Sequence, residues 1–305
     1  MYDTPTFETA DGACIGYRVL GVQHVGPALV MINGMSSIMD DWMDLAEAFA
    51  KTRKVVLFDH RGMGESRMPS DADEDLTIEK MARDVVELAT HLHLHDVHLL
   101  GFSMGGMVAQ ALLTLPNAYS TVDGAGVGID GLEVRRVVLA STFVRAPRTE
   151  FNPRHLRVHS KLPRPQRQRK RVEYLFKLQY DPDVLGEGNV LQSKFQERVQ
   201  QSLQSHRPPL IIGYQAMAIA RYEARERLRR VPHGLPVLVL HGKNDRMVDY
   251  AASREIFEYL PQARRFLPHV DDPEAYGHFW FDYYDLNHAW VNPLCQFLDT
   301  AGAKM

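Results

Sequence analysis

The chain reads Val97-His98-Leu99-Leu100-Gly101-Phe102-Ser103-Met104-Gly105-Gly106-Met107 across the stretch that decides its fold. An apolar run typical of a buried strand comes first, and residues 107–115 continue as a helical run. Side chains at Gly101 and Gly105 would collide across a sharp strand-to-helix turn, so this turn requires glycine at both positions. Such a turn projects Ser103 above the sheet, and the helix start beyond it favours developing negative charge. The stretch predicts a nucleophilic serine.

Other short apolar runs rich in β-branched residues lie on both sides of this stretch. They alternate with segments of helical period, which predicts an α/β fold with parallel strands joined by crossover helices. In one such segment, residues 78–92, apolar residues recur at helical spacing behind Thr77, which is placed to cap the helix. A leading antiparallel hairpin is predicted over residues 9–19. The predicted core strands are residues 28–32, 55–58, 97–102, 134–139, 235–240 and 265–270.

The strand pattern stops between residues 143 and 232, where helical and strongly basic sequence takes its place. It resumes at Leu235, so we predict that residues 143–232 form a helical cap inserted into a core domain of residues 1–142 and 233–305. A second, smaller insertion at residues 116–131 is rich in glycine and aspartate, which predicts a surface loop.

The cap contains a basic run with few acidic residues between its members. Two interpretations stay open: a solvated cap surface, or a surface that attracts an anionic substrate or an acidic partner. The run consists of Arg145, Arg148, Arg154, Arg157, Lys161, Arg164, Arg167, Arg169, Lys170 and Arg171.

Composition narrows the classes of protein that fit. The 305 residues are 45% hydrophobic and 24% charged, which is typical of a globular enzyme. A net charge of -3 argues against a general polyanion binder, so no nucleic-acid partner is expected. Cys14 and Cys295 give neither a disulfide framework nor metal-ligand spacing, which favours a reducing compartment.

The ends and the apolar runs of the chain bear on location. The first residues lack a basic start followed by an apolar run, and no run of about 18 apolar residues occurs, so neither secretion nor a membrane partner is expected. A cytoplasmic location follows as the expectation. The last three residues, Ala303-Lys304-Met305, resemble a relaxed version of the C-terminal peroxisomal address, which makes peroxisomal import the alternative.

A serine hydroxyl is a weak nucleophile until a base removes its proton, so an orienting carboxylate and a histidine should follow along the chain. Asp245 directly follows the apolar run at residues 235–240, at the predicted edge of the sheet. The preceding run ends in Leu139-Ala140-Ser141-Thr142 without an acid, which removes the commonest alternative position. We predict Asp245 as the acid, with Asp249 as the competitor that stays open.

His278 is the predicted base among the fourteen histidines. It lies beside Gly277 in a loop that follows the last strand pattern, and an apolar helical segment comes after it. His269 stays open as the rival because it lies inside or at the end of that strand pattern.

The electrophilic part of the site is predicted at Asn33-Gly34-Met35, which follows the apolar run at residues 28–32. Gly34 permits a close turn, so the backbone N–H groups of Met35 and Met104 would together form an oxyanion hole. The competing interpretation of Asn33-Gly34 is a tight turn without a catalytic role.

These residues resemble the α/β-hydrolase superfamily, in its single-cap subgroup of esterases, lactonases, C–C hydrolases and related enzymes. The resemblance covers nearly the whole chain outside the cap. Residues 59–66 (DHRGMGES) resemble the family turn D-x-R-G-x-G-x-S, and Gly277-His278-Phe279 resembles its histidine motif. The family usually has His-Gly where this chain has Asn33-Gly34. Relatives that cleave epoxides or haloalkanes use an aspartate nucleophile, and Ser103 counts against those reactions.

The resulting expectation is a serine hydrolase that cleaves a carboxylic ester, lactone or thioester of a small apolar substrate through an acyl-enzyme on Ser103. The alternative is a relative with the same triad and another activity: an acyltransferase, a C–C bond hydrolase or lyase, or a ligand-binding protein. No cofactor and no metal are expected. The histidine-rich residues 91–98 span a helix end and a strand, where alternate side chains cannot converge on one ion.

Overall fold

A mostly parallel sheet of ten strands forms the centre of the computed structural model, which describes residues 4–70, 76–156, 162–186 and 188–300. In these residues β4, β3, β5, β8, β9 and β10 run parallel in that order, and β2 and β1 extend the β4 edge in antiparallel fashion. The predicted α/β fold is confirmed. The strands are β1 (Thr6–Glu8), β2 (Cys14–Leu20), β3 (Ala28–Ile32), β4 (Val55–Phe58), β5 (Asp96–Phe102), β6 (Tyr119–Ser120), β7 (Val127–Ile129), β8 (Leu132–Ala140), β9 (Val237–Leu240) and β10 (Arg264–Arg265).

Helices cover both faces of this sheet because successive strand side chains point in opposite directions. In β3, Val30 and Ile32 pack towards α2, α3 and α8, whereas Leu29 and Met31 pack towards α1 and α9. Each fully buried side chain of this size contributes about 1.5–3 kcal/mol to the free energy of unfolding. The helices are α1 (Met43–Ala50), α2 (Ile78–His91), α3 (Met104–Leu112), α4 (Arg164–Lys177), α5 (Val190–Gln204), α6 (Pro209–Arg221), α7 (Arg225–Leu228), α8 (Ala251–Tyr259) and α9 (Asn292–Asp299).

Helix α2 follows its sequence pattern closely. The hydroxyl of Thr77 accepts a hydrogen bond from the backbone N–H of Lys80 at 3.1 Å, so Thr77 caps the helix as predicted. The apolar stripe that includes Met81 and Val85 is buried against the sheet. The packing of α2 against α3 holds the helix that starts directly after Ser103.

Two local predictions were wrong. Residues 116–131 are not only a surface loop, because β6 and β7 form a hairpin there and β7 pairs with the start of β8. The strand Val127–Ile129 is buried, but its three residues are too few to show an alternating pattern in a segment rich in glycine. The predicted strand at residues 265–270 shortens to Arg264–Arg265, because Pro268 cannot continue a ladder of backbone bonds.

Helices α4 to α7 lie between β8 and β9 in the chain, as the fold prediction placed them, and we call residues 143–232 the cap. The cap is attached to the core by buried polar contacts. Arg198 of α5 donates to the carboxylate of Asp282 at 2.6 Å and lies 4.5 Å above the ring of Phe279. The division of the chain into two domains stays a prediction. In the described residues, no helix has the length and apolar character needed to cross a bilayer.

Candidate active site

The turn after β5, residues 101–105, is the elbow that presents Ser103. Ser103 has φ 54° and ψ -120°, a conformation that costs roughly 1–3 kcal/mol in a residue with a side chain. Its backbone N–H donates to the carbonyl of Ala140 at 2.9 Å, which fixes the turn to β8. The Ser103 side chain forms no hydrogen bond within the described residues and remains 8% exposed at the end of the strand.

The glycines of the elbow are required by close backbone contacts. A Cβ atom at Gly101 would lie 2.5 Å from the carbonyl oxygen of Gly105, and one at Gly105 would lie 2.0 Å from that of Ile32. Both distances are far below van der Waals contact. The sequence argument for glycine at these two positions therefore agrees with the geometry.

Replacement of Gly105 by alanine is expected to lower the free energy of unfolding by about 3 kcal/mol, because β3 or α3 must shift to admit the methyl group. Urea denaturation of the purified variant measures this change. Gly213 provides the matched control, since it lies in helix α6 with open space around a Cβ atom. Gly213→Ala should leave stability equal or raise it by up to about 1 kcal/mol. A Gly105→Ala protein as stable as wild type would contradict the packing argument.

Asp245 lies in the loop after β9 and is buried. Its Oδ1 accepts hydrogen bonds from the backbone N–H groups of Met247 and Val248 at 2.9 and 2.8 Å. Its Oδ2 lies 2.6 Å from Nδ1 of His278. Burial by itself would raise the pKa of Asp245, but the charge attraction of His278 and hydrogen bonds from His241 and His278 lower it to about 2. Asp245 is therefore a carboxylate at neutral pH.

The ionised state of Asp245 decides which nitrogen of His278 carries the proton. A carboxylate only accepts hydrogen bonds, so Nδ1 of His278 must be the donor in the 2.6 Å contact. This tautomer leaves Nε2 of a neutral His278 with a lone pair. The ring centroid of His278 lies 4.7 Å from that of Phe102, the residue before Ser103. Ser103 and His278 form no hydrogen bond with each other in this structure.

The loops that carry Asp245 and His278 are joined by backbone bonds. The N–H of Lys243 donates to the carbonyl of Glu274 at 2.8 Å, and the N–H of Asn244 donates to that of Tyr276 at 3.2 Å. A Cβ atom at Gly242 would lie 1.8 Å from the Tyr276 carbonyl, so only glycine permits this approach. The pairing of acid and histidine is thus set by backbone contacts as well as by their side chains.

His241 is a second histidine on the same carboxylate, which the sequence reasoning did not identify. Its Nε2 lies 3.1 Å from both Asp245 Oδ2 and the carbonyl of Val248, and its side chain is almost fully buried. The signal in the sequence is the spacing of His241 and Asp245, four residues apart across a glycine. One N–H shared between two acceptors orients the carboxylate towards His278.

The two alternatives of the sequence analysis lie elsewhere. Asp249 is exposed and its carboxylate accepts the backbone N–H of Ala251 at the start of α8. His269 is exposed in a bend after β10. In the described residues, neither side chain is hydrogen-bonded to Ser103, Asp245 or His278.

Residues 33–37, which we call the oxyanion loop, lie beside the elbow. A Cβ atom at Gly34 would lie 3.3 Å from the Cβ of Ser103, so the absence of a side chain brings this backbone close to the serine. In the described residues, the backbone N–H groups of Met35 and Met104 donate no hydrogen bond within the protein. Two unpaired donors next to one serine are what an oxyanion hole requires.

Asn33, at the position where the family usually has histidine, is hydrogen-bonded to Phe58 and His60. The side-chain Nδ2 of Asn33 donates to the backbone carbonyl of Phe58 at 2.7 Å. The backbone carbonyl of Asn33 accepts Nε2–H of His60 at 2.9 Å. Burial lowers the pKa of His60 to about 4, so this histidine is neutral. The residues 59–66 also support the loop through Asp59, which accepts the backbone N–H of Met39 at 2.7 Å. The polar side chains here hold the backbone in place.

A cavity of about 1000 Å³ opens between the core and helix α5. Its lining includes Asp59, Glu65, Gln200 and His206 and does not include Ser103 or His278.

The basic run of the cap is largely a solvent-facing surface, since α4 buries none of its residues, and Arg157 and Lys161 lie outside the described residues. The C-terminal tripeptide Ala303-Lys304-Met305 also lies outside them.

Comparisons with known proteins agree with this architecture. A family model described as the alpha/beta hydrolase fold matches residues 27–123, which contain the elbow and the oxyanion loop but neither Asp245 nor His278. A proline iminopeptidase of Lactobacillus helveticus is 34% identical over 95 residues, 30% of this chain and 32% of that protein. The 3-oxoadipate enol-lactonase 1 of Acinetobacter baylyi is 29% identical over 149 residues, 44% of this chain and 54% of that protein. The chain thus spans about a third to a half of the length of these curated relatives.

A solved structure extends the comparison to the whole chain. An esterase from Exiguobacterium antarcticum superposes with a TM-score of 0.73 at 19% identity, covering 97% of this chain and 100% of that one. An identity of this size bears on the fold alone. The strand order, the strained elbow serine and these matches lead to one conclusion: the chain has the α/β-hydrolase fold, with helices α4 to α7 in the position of a cap.

Proposed function

We propose that this protein is a serine hydrolase that cleaves a carboxylic ester, lactone or thioester of a small apolar substrate through an acyl-enzyme on Ser103. The observation that carries the proposal is the buried 2.6 Å hydrogen bond between His278 Nδ1 and Asp245, beside a serine in strained elbow geometry. Strained backbone at a strand end is typical of functional sites.

In the proposed mechanism, Nε2 of His278 removes the proton of Ser103 as its Oγ attacks the scissile carbonyl carbon. The hydrogen bond between these two groups forms on substrate binding, since such contacts often tighten only in the complex. Asp245 stabilises the imidazolium that results. The N–H groups of Met35 and Met104 bind the oxyanion, and His278 then passes its proton to the leaving group.

Deacylation repeats these steps with water in place of the serine hydroxyl. His278 takes a proton from water as the water oxygen attacks the acyl carbon, and it then returns this proton to Oγ of Ser103 as the bond between the acyl group and the serine breaks. The buried rings of Phe102, Phe279 and Phe281 pack together next to His278, so the proposed base lies in largely apolar surroundings, which suit a small apolar acyl group.

The experiment that tests this proposal combines covalent labelling with a substrate panel. A fluorophosphonate probe should label the folded protein once per chain and fail to label Ser103→Ala or heat-unfolded protein. The panel contains short-chain nitrophenyl esters, a lactone, an acyl thioester and a prolyl nitroanilide, the last because of the iminopeptidase relative. Ester, lactone or thioester turnover supports the proposal. Labelling without turnover of any substrate would favour a non-hydrolytic relative, and no labelling at all would reject the nucleophile.

A further inference from the structure

The oxyanion loop is held from two sides by the cap. The backbone N–H of Ser36 donates to Oε1 of Gln215 at 2.9 Å. The backbone carbonyl of Ser36 accepts Nη1–H of Arg207 at 2.5 Å. Gln215 belongs to α6, and Arg207 lies in the connection between α5 and α6. These partners are 179 and 171 residues away from Ser36 along the chain, so the contacts join two distant parts of the fold.

The backbone of this loop is strained in a way that needs such support. The N–H of Ser37 donates to the carbonyl of Gly34 at 3.2 Å, which closes a β-turn with Ser36 in its third position. Ser36 has φ 63°, whereas Met35 is not in the left-handed region. A positive φ at the third position of a turn, after a second residue outside the left-handed region, is typical of type II turns and favours glycine, so a serine there is under strain. The carbonyl of Gly34 and the N–H of Met35 share one peptide plane, so the turn also orients the proposed oxyanion donor.

Both cap side chains are buried and firmly placed. Gln215 is completely buried, and in the described residues its Nε2 has no hydrogen-bond partner. The side chain is therefore held by the hydrogen bond that Oε1 accepts from Ser36. Arg207 also forms a bidentate ion pair with Asp41 at 2.8 and 2.7 Å, both side chains being only 8% exposed. Asp41 in turn accepts the N–H of Ile38 at 3.0 Å.

We propose that Gln215 and Arg207 are positioning residues for the reaction, which hold the Gly34–Ser37 turn in its strained form so that the Met35 N–H faces the oxyanion. This inference rests on the proposed function. It means that the seated cap completes the oxyanion hole, in addition to any role in binding the substrate. If the two side chains only stabilised the fold, their replacement would lower the free energy of unfolding without selectively weakening the binding of the transition state.

The test uses Gln215→Met, which keeps the length of the side chain and removes the acceptor. With a nitrophenyl ester, kcat should fall by about 10- to 100-fold while KM stays within about threefold, because an oxyanion contact acts in the transition state. The inhibition constant of a boronic acid, which places an oxygen in the oxyanion hole, should rise by a similar factor. Fluorophosphonate labelling at long times should remain one per chain.

A second substitution separates positioning from general damage. Glycine adopts a positive φ without strain, so Ser36→Gly should restore a large part of the lost kcat in the Gln215→Met background. Gln215→Glu, which retains an acceptor, should keep more activity than Gln215→Met. The matched control is Tyr222→Phe at the end of α6, because the buried Tyr222 hydroxyl has no hydrogen-bond partner in the described residues. This control should keep wild-type kcat and boronic acid affinity.

Three outcomes would overturn the inference: a kcat of Gln215→Met within twofold of wild type, a loss confined to KM, or no recovery with Ser36→Gly. If Gln215→Met does not fold, Arg207→Lys makes the same comparison, since it keeps a positive charge opposite Asp41 and changes the donor geometry at Ser36. Failure of the proposed function gives a different result, in which the wild-type protein itself is neither labelled nor active.

Discussion

Ser103→Ala is expected to lower ester turnover by about a thousandfold or more while the protein stays folded. Under the proposed mechanism the loss arises because no acyl-enzyme can form, whereas the proposed oxyanion donors at Met35 and Met104 remain to support a slow direct reaction. Folding should be preserved because the Ser103 side chain has no hydrogen-bond partner in the described residues. The measurements are kcat/KM on the best ester of the panel and a thermal unfolding curve.

Ser253→Ala is the matched control for this experiment. Ser253 is also buried, but its hydroxyl donates to the carbonyl of Tyr250 at the start of helix α8, and in the described residues it is not hydrogen-bonded to Ser103, Asp245 or His278. It should keep full turnover. Ester turnover of pure Ser103→Ala within about tenfold of wild type would reject Ser103 as the nucleophile.

His278→Ala is expected to be about as damaging as Ser103→Ala, because it deletes the proposed base that activates the serine. Asp245→Asn should leave more residual activity. Its amide oxygen can still accept the N–H groups of Met247 and Val248, which would turn its NH₂ group towards Nδ1 of His278. The histidine would then carry its proton on Nε2, the wrong nitrogen for a base. The measurement is kcat/KM for the three variants side by side.

The exposed His269 provides the comparison for this prediction. His269→Ala should leave turnover and stability unchanged, since the residue has no contact with the Asp245 carboxylate. A protein that keeps its activity as His278→Ala and loses it as His269→Ala would transfer the role of base to His269.

Three parts of the proposed site, at Asn33, Ser103 and Asp245, could be predicted from the sequence because each follows an apolar strand pattern. Parallel strands bring their carboxyl ends to one edge of the sheet, so Asn33, Ser103 and Asp245 had to lie near one another once the strands were identified. His278 needed more, since β10 is only two residues long and gives little pattern. A glycine next to a histidine in a loop was the remaining signal, and the structure places that histidine 2.6 Å from Asp245.

The supporting contacts could not be predicted in this way. Gln215 and Arg207 lie in the cap, where neither strand periodicity nor a motif relates them to Ser36. His241 directly follows the apolar run at residues 235–240, and its contact with Asp245 depends on how the following turn folds back. The β6–β7 hairpin could not be predicted because the three residues of β7 are too few to show a period of two. Local patterns predict elements and their ends, whereas contacts across the fold depend on packing.

The attachment of the cap to Ser36 bears on how such a protein can diverge. The cap is inserted between β8 and β9, so its sequence can drift without changing any strand of the sheet. A drifting cap would ordinarily alter only which molecules are admitted. In this protein two cap side chains are hydrogen-bonded to the backbone of Ser36, so under the proposed mechanism we expect substitutions in the cap to alter the rate as well as the selectivity. If this proposal holds, a cap transplanted from a relative would have to bring an acceptor and a donor for Ser36 with it, and we expect this segment to be less interchangeable than its place in the chain suggests.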